Sequence, residues 1–289
     1  MAKVSAFKSA EGRDSFLVLY NAILARWPVA YEELDIPTHF GTTHIIASGA
    51  LDSKPLFLLH GMTASATAWL PNVADLSRRY RVYSVDVIGE PNKSKPILPV
   101  KNRREFAKWL VEVFDGLGID RANIAGNSYG GFLALNQASL APERIEKLVL
   151  ISPAASFTQI WSFYFRLVPA LFGPDKFTSS FTEWILQGLP CDKDCGELSR
   201  VLQKHGRSIN RVFPVVFKEK ELQKVYHPTL LLIGDKEVIY DPQKIIRRAG
   251  QLLSNLQGEI VPNANHIAAM SNPEYVNKRM IRFLDGEPI

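Results

Sequence analysis

Short apolar runs alternate with longer amphipathic patterns from Thr42 onward. Seven runs predict strands at 43–47, 56–59, 82–87, 122–126, 147–152, 229–233 and 259–262. Several are continuously apolar, as expected of strands covered on both faces. Helical periodicity lies near 67–80, 103–117, 129–140, 242–254 and 273–284. This alternation predicts an α/β fold with a mostly parallel sheet covered by helices on both faces.

The segment before the first predicted strand has one apolar stripe at three- and four-residue steps, formed by Phe16, Tyr20, Ile23 and Trp27. The stripe predicts a helix over about 14–27, which Pro28 ends. Polar residues interrupt the apolar run, no small-residue cleavage site follows it, and no apolar run of about 18 residues occurs. We therefore expect this helix to pack on the body of the protein, without stable membrane insertion.

The alternation stops between residues 154 and about 222, where aromatic residues are concentrated. Nine of them lie within residues 154–190, namely Phe157, Trp161, Phe163, Tyr164, Phe165, Phe172, Phe177, Phe181 and Trp184. A segment of this kind between two sheet strands predicts a helical cap at 154–222 on a core formed by 1–153 and 223–289. We expect most of these side chains to pack within the cap and a few to line a pocket.

Composition and charge narrow the function classes. Hydrophobic residues make up 46% of the chain and charged residues 22%, as in folded globular proteins. The net charge of +5 comes from scattered basic residues, which indicates a solvated surface and no nucleic-acid partner. Cys191 and Cys195 have C-x3-C spacing and no second ligand pair nearby, which predicts reduced thiols in a cytoplasmic protein and no metal site. No nucleotide-binding motif occurs, so no cofactor is expected.

The sequence Gly126-Asn127-Ser128-Tyr129-Gly130 is a G-x-S-x-G motif between a predicted strand and a predicted helix. A sharp turn in this context strains the serine backbone, and the flanking glycines let strand and helix approach closely. We therefore predict that Ser128 is a nucleophile and that Gly126 and Gly130 support its turn. The alternative is a glycine-rich turn with an inert serine.

An activated serine needs a base, and the base needs a carboxylate to orient it. His266 follows the last predicted strand, at the carboxyl edge of the sheet, and is the predicted base. The acid should lie between Ser128 and His266 in the chain, where Asp235, Glu237 and Asp241 follow one strand. Asp241 precedes a proline at a predicted helix start and is expected to cap that helix. Asp235 and Glu237 remain as candidates.

Stabilising an oxyanion requires preorganised backbone N–H groups. The sequence His60-Gly61-Met62 follows another predicted strand, so the amides of Met62 and Tyr129 are the predicted donors. We expect the His60 side chain to hold this loop by hydrogen bonds and not to transfer protons.

Six co-linear motifs resemble those of the α/β-hydrolase family and, within it, carboxylesterases of the bacterial serine-esterase branch. They are HGMT at 60–63, DVIGEPNKS at 86–94, GNSYGG at 126–131, APERI at 141–145, GDKEVIYDP at 234–242 and NANH at 263–266. In this family the acid usually stands three residues after the glycine that ends its strand, which corresponds to Glu237 here. Asp235 stays as the fallback.

The loop at 86–94 departs from the family pattern D-x-x-G-x-G-x-S, because it lacks the second glycine and is one residue longer. Since this loop borders the predicted site, the change concerns the shape of the substrate. A serine at the turn also argues against the dehalogenase and epoxide-hydrolase branches, which use aspartate there. The resemblance implies cleavage of small-molecule carboxylic esters through an acyl-enzyme intermediate. A lactonase, thioesterase, aminopeptidase or C–C hydrolase on the same triad is the alternative, and a non-catalytic ligand receptor is a more distant one.

Overall fold

The computed structural model describes residues 4–172, 175–186 and 193–287 of the 289-residue chain. Within these residues, nine strands form one sheet: β1 (Tyr31–Thr38), β2 (Gly41–Ser48), β3 (Lys54–Leu59), β4 (Tyr80–Val85), β5 (Lys95–Pro96), β6 (Ala122–Asn127), β7 (Ile145–Ile151), β8 (Thr229–Gly234) and β9 (Leu256–Val261). The order is β1-β2-β4-β3-β6-β7-β8-β9, with β5 paired to β2. Strands β4, β3 and β6 to β9 are parallel, whereas β1, β2 and β5 pair antiparallel.

The helices of the described residues are α1 (Ala10–Leu24), α2 (Leu70–Leu76), α3 (Arg103–Gly116), α4 (Tyr129–Leu140), α5 (Trp161–Phe172), α6 (Asp175–Leu186), α7 (Lys193–His205), α8 (Glu219–Leu222), α9 (Pro242–Leu252), α10 (Ala268–Ser271) and α11 (Pro273–Asp285). Single 3-10 turns lie at Ala66–Trp69 and Pro142–Arg144. None of these helices is long and apolar enough to cross a membrane.

The sheet separates two apolar clusters, because successive strand side chains point to opposite faces. In β3, Phe57 and Leu59 enter the cluster that contains side chains of α3, α4 and α9. Leu56 and Leu58 enter the cluster that contains side chains of α1, α2 and α11. Helices therefore cover both faces, which is why continuous apolar runs identified the central strands. The predicted α/β architecture with a mostly parallel sheet is confirmed.

The seven predicted strands are all present within a few residues of their predicted bounds, but two strands were not predicted. Strand β1 lies at the sheet edge and has mostly exposed side chains, so it lacks an apolar run. Strand β5 has only two residues. The first predicted strand corresponds to β2, which pairs antiparallel with β1 and β4.

The N-terminal helix is shifted from its predicted bounds of 14–27. Helix α1 begins earlier because Ser9 caps it, accepting a hydrogen bond from Gly12 N–H, and it ends at Leu24 before Pro28. Trp27 lies beyond the helix but stays buried, and its Nε1–H donates to Ser48 Oγ at 3.0 Å. The predicted apolar stripe packs on the core as expected.

The chain between β7 and β8 contains α5 to α8, with no strand among its described residues. Residues 154–222 as a separate cap stay a prediction. Cys195 lies half-buried on α7, and Cys191 lies outside the described residues.

Candidate active site

Ser128 lies at the sharp turn between β6 and α4. Its φ of 53° and ψ of −113° are values that residues other than glycine rarely adopt. Backbone hydrogen bonds hold this conformation: Ser128 N–H donates to Ile151 O at 2.9 Å, and Ser128 O accepts from Phe132 and Ala154 at 3.0 and 3.1 Å. Ser128 is half-buried between buried neighbours, so part of it remains accessible.

Two glycines make this turn sterically possible. A Cβ atom on Gly126 would lie 2.2 Å from Gly130 O, and a Cβ atom on Gly130 would lie 2.0 Å from Leu59 O. Both distances are far below van der Waals contact with backbone atoms. The G-x-S-x-G spacing therefore reflects close packing of β6, α4 and β3 around the serine.

His266 lies between β9 and α10, at the carboxyl edge of the sheet. Its Nε2 is 2.8 Å from Ser128 Oγ, and its Nδ1 is 2.7 Å from Glu237 Oε2. The side chains of His266 and Glu237 are 2% and 0% exposed. A carboxylate accepts only, so Nδ1 carries the proton in this pair and Nε2 keeps its lone pair for the serine hydroxyl. This is the tautomer that a general base requires.

The Glu237 carboxylate is held by its own backbone. Its Oε1 accepts hydrogen bonds from the Val238 and Ile239 amides, both at 2.9 Å. Burial acts to raise the pKa of Glu237, but the charge and hydrogen bond of His266 and the Ile239 amide outweigh it and leave the pKa below its usual value. Glu237 is therefore an ionised partner for His266 at neutral pH.

The other two carboxylates after β8 have different partners. Asp235 Oδ1 accepts from the Ala264 amide at 2.9 Å, in the loop that carries His266. Asp241 Oδ1 accepts from Lys244 N–H at 3.0 Å and caps α9, as its position before a proline predicted. Glu237 is therefore the carboxylate that is hydrogen-bonded to His266, whereas Asp235 supports the loop that carries His266.

The amides of Met62 and Tyr129 have no hydrogen-bond partner within residues 4–172, 175–186 and 193–287. Tyr129 is the first residue of α4, where backbone N–H groups lack intrahelical acceptors and the helix dipole favours negative charge. The Met62 loop is adjacent, since a Cβ on Gly61 would lie 3.7 Å from Ser128 Cβ. The structure thus brings both predicted oxyanion donors near Ser128.

His60 uses both ring nitrogens in structural hydrogen bonds. Its Nε2 accepts from Val87 N–H at 3.0 Å, so its Nδ1 carries the proton and donates to Gly61 O at 2.7 Å. Burial lowers the pKa of His60, which favours this neutral form. Both ring nitrogens therefore take part in hydrogen bonds that hold the loop after β3.

Three segments between β7 and β8 reach the site. Side chains of α5 and α6 pack with Val238, Ile239 and Tyr240, the residues after Glu237. The Leu186 carbonyl at the end of α6 accepts from Asn265 Nδ2 at 2.6 Å, beside His266. The Val212 carbonyl accepts from Tyr129 Oη at 2.9 Å.

The aromatic residues of this region divide into two sets. Phe163 is buried, Phe181 and Trp184 pack against it or against its cluster, and Trp161, Phe165 and Phe177 are exposed. The side chain of Phe172 lies outside the described residues. Helical periodicity alone could not separate the two sets, because both faces of α5 carry aromatics.

Two buried carboxylates beside the site were not predicted as functional. Asp86 accepts from the Ala66 and Lys93 amides at 2.7 and 3.0 Å, and Glu90 accepts from the Thr63 amide at 2.9 Å. Both belong to the loop at 86–94: Asp86 matches the first position of the family pattern, and Glu90 directly precedes the position where the second glycine is missing. They connect this loop to the segment after β3 that contains Met62, Thr63 and Ala66.

Comparison with known proteins gives consistent matches. Residues 54–178 match the family model of the alpha/beta hydrolase fold. Carboxylesterase YbfK of Bacillus subtilis (strain 168) is 38% identical over 97% of this chain and 97% of that protein. The uncharacterized carboxylesterase nap of the same organism is 38% identical over 93% of this chain and 91% of its own length. The crystal structure of naproxen esterase (carboxylesterase NP) from Bacillus subtilis superposes with a TM-score of 0.90 at 35% identity, covering 96% of this chain and 99% of that one.

Proposed function

This chain belongs to the α/β-hydrolase family and is a carboxylesterase-type hydrolase, and from that premise we propose that Ser128, His266 and Glu237 form its catalytic triad. One observation carries the proposal: hydrogen bonds run from Ser128 Oγ through both nitrogens of His266 to the buried Glu237 carboxylate. We also propose that the Met62 and Tyr129 amides form the oxyanion hole.

In the acylation step, Ser128 Oγ attacks the ester carbonyl carbon and His266 Nε2 accepts the hydroxyl proton. Glu237 stabilises the imidazolium through Nδ1. The carbonyl oxygen becomes an oxyanion, to which Met62 and Tyr129 N–H donate. The tetrahedral intermediate then expels the alcohol, which takes the proton from His266, and an acyl-serine ester remains.

Deacylation repeats the same steps with water as the nucleophile. His266 accepts a proton from the water as its oxygen attacks the acyl carbon, and the same amides hold the second oxyanion. Collapse of this intermediate releases the carboxylic acid and returns the proton to Ser128 Oγ. These residues complete the reaction without a cofactor.

The proposed substrate is a small-molecule ester with an apolar, bulky group, and residues 154–222 are the proposed cap over it. Support comes from the aromatic cluster of Phe163, Phe181 and Trp184 next to the Glu237 loop. Burying one apolar side group contributes about 1.5–3 kcal/mol, which gives roughly ten- to a hundredfold in kcat/KM if expressed in the transition state. Because the chain is similar to a naproxen esterase, a naproxen ester belongs among the substrates to be tested, together with thioester, lactone and amide analogues.

The low cysteine content supports a cytoplasmic location as part of this proposal.

The test of the triad is Ser128→Ala with Ser139→Ala as its control. Ser139 lies on α4 as well, and its hydroxyl donates within that helix, so its loss leaves the site intact. We expect Ser128→Ala to lower kcat by roughly 10^4-fold or more with unchanged thermal unfolding, and Ser139→Ala to stay within about twofold. Retention of more than about a tenth of the activity by Ser128→Ala would refute the assignment.

A further inference from the structure

Glu90 is a buried carboxylate that the proposed mechanism does not use. Only 1% of the residue is exposed. Its Oε2 accepts from the Thr63 backbone N–H at 2.9 Å, and its Oε1 accepts from Ser208 Oγ at 2.5 Å and from Asn210 Nδ2 at 3.4 Å. Burying a carboxylate is costly unless hydrogen bonds replace its water. Glu90 therefore connects the loop after β3 to the segment after α7.

Thr63 directly follows Met62, whose amide is a proposed oxyanion donor. The Thr63 φ of 52° lies in the left-handed region, which a β-branched residue rarely adopts. Backbone strain of this kind persists only where surrounding contacts hold it. Glu90 accepts the Thr63 N–H, and Thr63 Oγ1 donates to Met62 O at 2.7 Å. Glu90 thus holds the peptide unit that joins Met62 to Thr63.

The preceding peptide unit, which joins Gly61 to Met62, is held by His60. Its Nδ1 donates to Gly61 O at 2.7 Å, and in a trans peptide the Met62 N–H points away from that carbonyl. Met62 therefore lies between two peptide planes, one held by His60 and the other by Glu90. The Met62 N–H lies in the plane that His60 holds, and Glu90 fixes the following plane, which sets where Met62 Cα lies and therefore how the N–H is directed.

The segment that receives the other oxygen of Glu90 is itself anchored. Ile209 N–H donates to Gly89 O at 2.9 Å, and Asn210 Nδ2 donates to Ile88 O at 2.8 Å. Gly89 has a φ of +79°, and a Cβ there would lie 2.2 Å from Asn210 Oδ1. The two hydrogen bonds keep Ser208 and Asn210 beside Glu90, and Asn210 remains a partner of the carboxylate without the Ser208 hydroxyl.

We propose that Glu90 is a positioning residue for ester hydrolysis, whose carboxylate holds the Thr63 turn so that the Met62 amide stays directed at the developing oxyanion. The inference rests on the proposed oxyanion hole. Glu90 touches no reacting atom and acts through Thr63. Loss of a whole oxyanion donor costs about 10²–10³ in kcat, so misdirecting one donor should cost about 10- to 100-fold.

The experiment compares an ester with its thionoester, in which sulfur replaces the carbonyl oxygen. Sulfur is a weaker hydrogen-bond acceptor, so the oxyanion hole accelerates thionoester hydrolysis less. Glu90→Leu removes the acceptor at similar size. Glu90→Gln keeps one oxygen for Thr63 N–H, and its amide can donate to Ser208 Oγ. Ser208→Ala removes a partner of the other Glu90 oxygen and leaves the Thr63 hydrogen bond intact.

We expect Glu90→Leu to lower kcat for the ester by about 10- to 100-fold, with KM within about threefold, and to lower the ester-to-thionoester rate ratio by about tenfold. Glu90→Gln and Ser208→Ala should keep that ratio within about threefold. An equal slowing of both substrates in Glu90→Leu, or a fall of the ratio in Glu90→Gln as large as in Glu90→Leu, would overturn the proposal.

Thermal unfolding shows whether each variant folds. If Glu90→Leu does not, Glu90→Met takes its place, because its side chain is of similar length and its thioether is only a weak acceptor for the Thr63 N–H. The same fall in ratio is expected, and an unchanged ratio would overturn the proposal. A wild-type enzyme that hydrolyses ester and thionoester equally fast would refute the oxyanion hole and this inference with it. The triad would stand, since Ser128→Ala tests it separately.

Discussion

Two regions meet at Ser128 and are held in place by different interactions. The loops at the carboxyl edge of the sheet are fixed by buried side chains that accept backbone N–H groups, with Asp86, Glu90 and Glu237 each accepting two or more hydrogen bonds. Helices α5 and α6 instead pack on the Glu237 loop through apolar side chains, such as Phe163, which lies in one apolar cluster with Ile239. Bond making needs directional contacts, whereas substrate binding needs shape and apolar surface. In the proposed function, the hydrogen-bonded loops carry out the chemistry and the apolar side chains of α5 and α6 contact the substrate.

The largest expected effect lies within the hydrogen-bonded loops. Glu237→Gln should lower kcat by about 10^3- to 10^4-fold, because an amide cannot stabilise the imidazolium and can favour the wrong tautomer. Asp235→Asn should cost less than about tenfold, since its Oδ1 can still accept from the Ala264 amide. Steady-state kinetics at saturating ester compares them. The reverse ranking would transfer the acid role to Asp235.

One added methyl group should have opposite effects at the serine turn and on α7, outside the site. Gly130→Ala puts a Cβ 2.0 Å from Leu59 O and should destabilise the protein by about 3 kcal/mol or more, or prevent folding. Gly196→Ala on α7 meets nothing within 4 Å and should stabilise by about 0.5–1 kcal/mol, because alanine favours a helix. Urea unfolding measures both. Equal stabilities would show that the serine turn is less tightly packed than described.

The features that could be predicted from the sequence depend on contacts between residues that lie close together in the chain. The serine turn was predictable because its serine and both glycines lie within five residues, between a strand pattern and a helix pattern, although Gly130 also packs against Leu59 of β3. Asp241 was predictable for the same reason, as its partner Lys244 lies three positions away. Contacts between residues that lie close together in the chain can be predicted from the sequence.

Long-range contacts were not predictable. Both Asp235 and Glu237 follow β8, and only the position of His266, 29 residues beyond Glu237, separates them in space. Glu90 contacts Thr63 and Ser208, which lie 27 and 118 positions away. No local sequence pattern encodes such a pairing.

Strand β1 was missed for a different reason, because its exposed side chains leave no apolar run.

A smaller effect is expected on the apolar side of the site. Phe163 is 8% exposed and packs near Ile239, whereas Phe165 on the same helix is 76% exposed. Phe163→Ala should open a cavity beside the Glu237 loop and lower kcat/KM for a bulky ester about tenfold. Phe165→Ala should stay within about twofold. Equal effects of the two substitutions would contradict the packing role of the buried aromatics.

The smallest expected signal is a pH dependence of stability. The folded pKa of Glu237 lies below its usual 4.5, so its ionised form contributes stability that is fully present above that value and is lost as pH falls through the folded pKa. Glu237→Gln does not titrate there. The difference in unfolding free energy between wild type and Glu237→Gln should therefore be constant above about pH 5.5 and change in favour of the variant at lower pH. A difference independent of pH down to acid unfolding would refute the lowered pKa.

In the proposed mechanism, Ser128 Oγ, activated by His266, is the atom that attacks the carbonyl. The most direct measurement is labelling with a fluorophosphonate probe, followed by intact mass and peptide mapping. We expect one phosphonyl group per chain, on the peptide that contains Ser128, and none on the Ser128→Ala variant. Labelling of another residue, or equal labelling of Ser128→Ala, would contradict this mechanism.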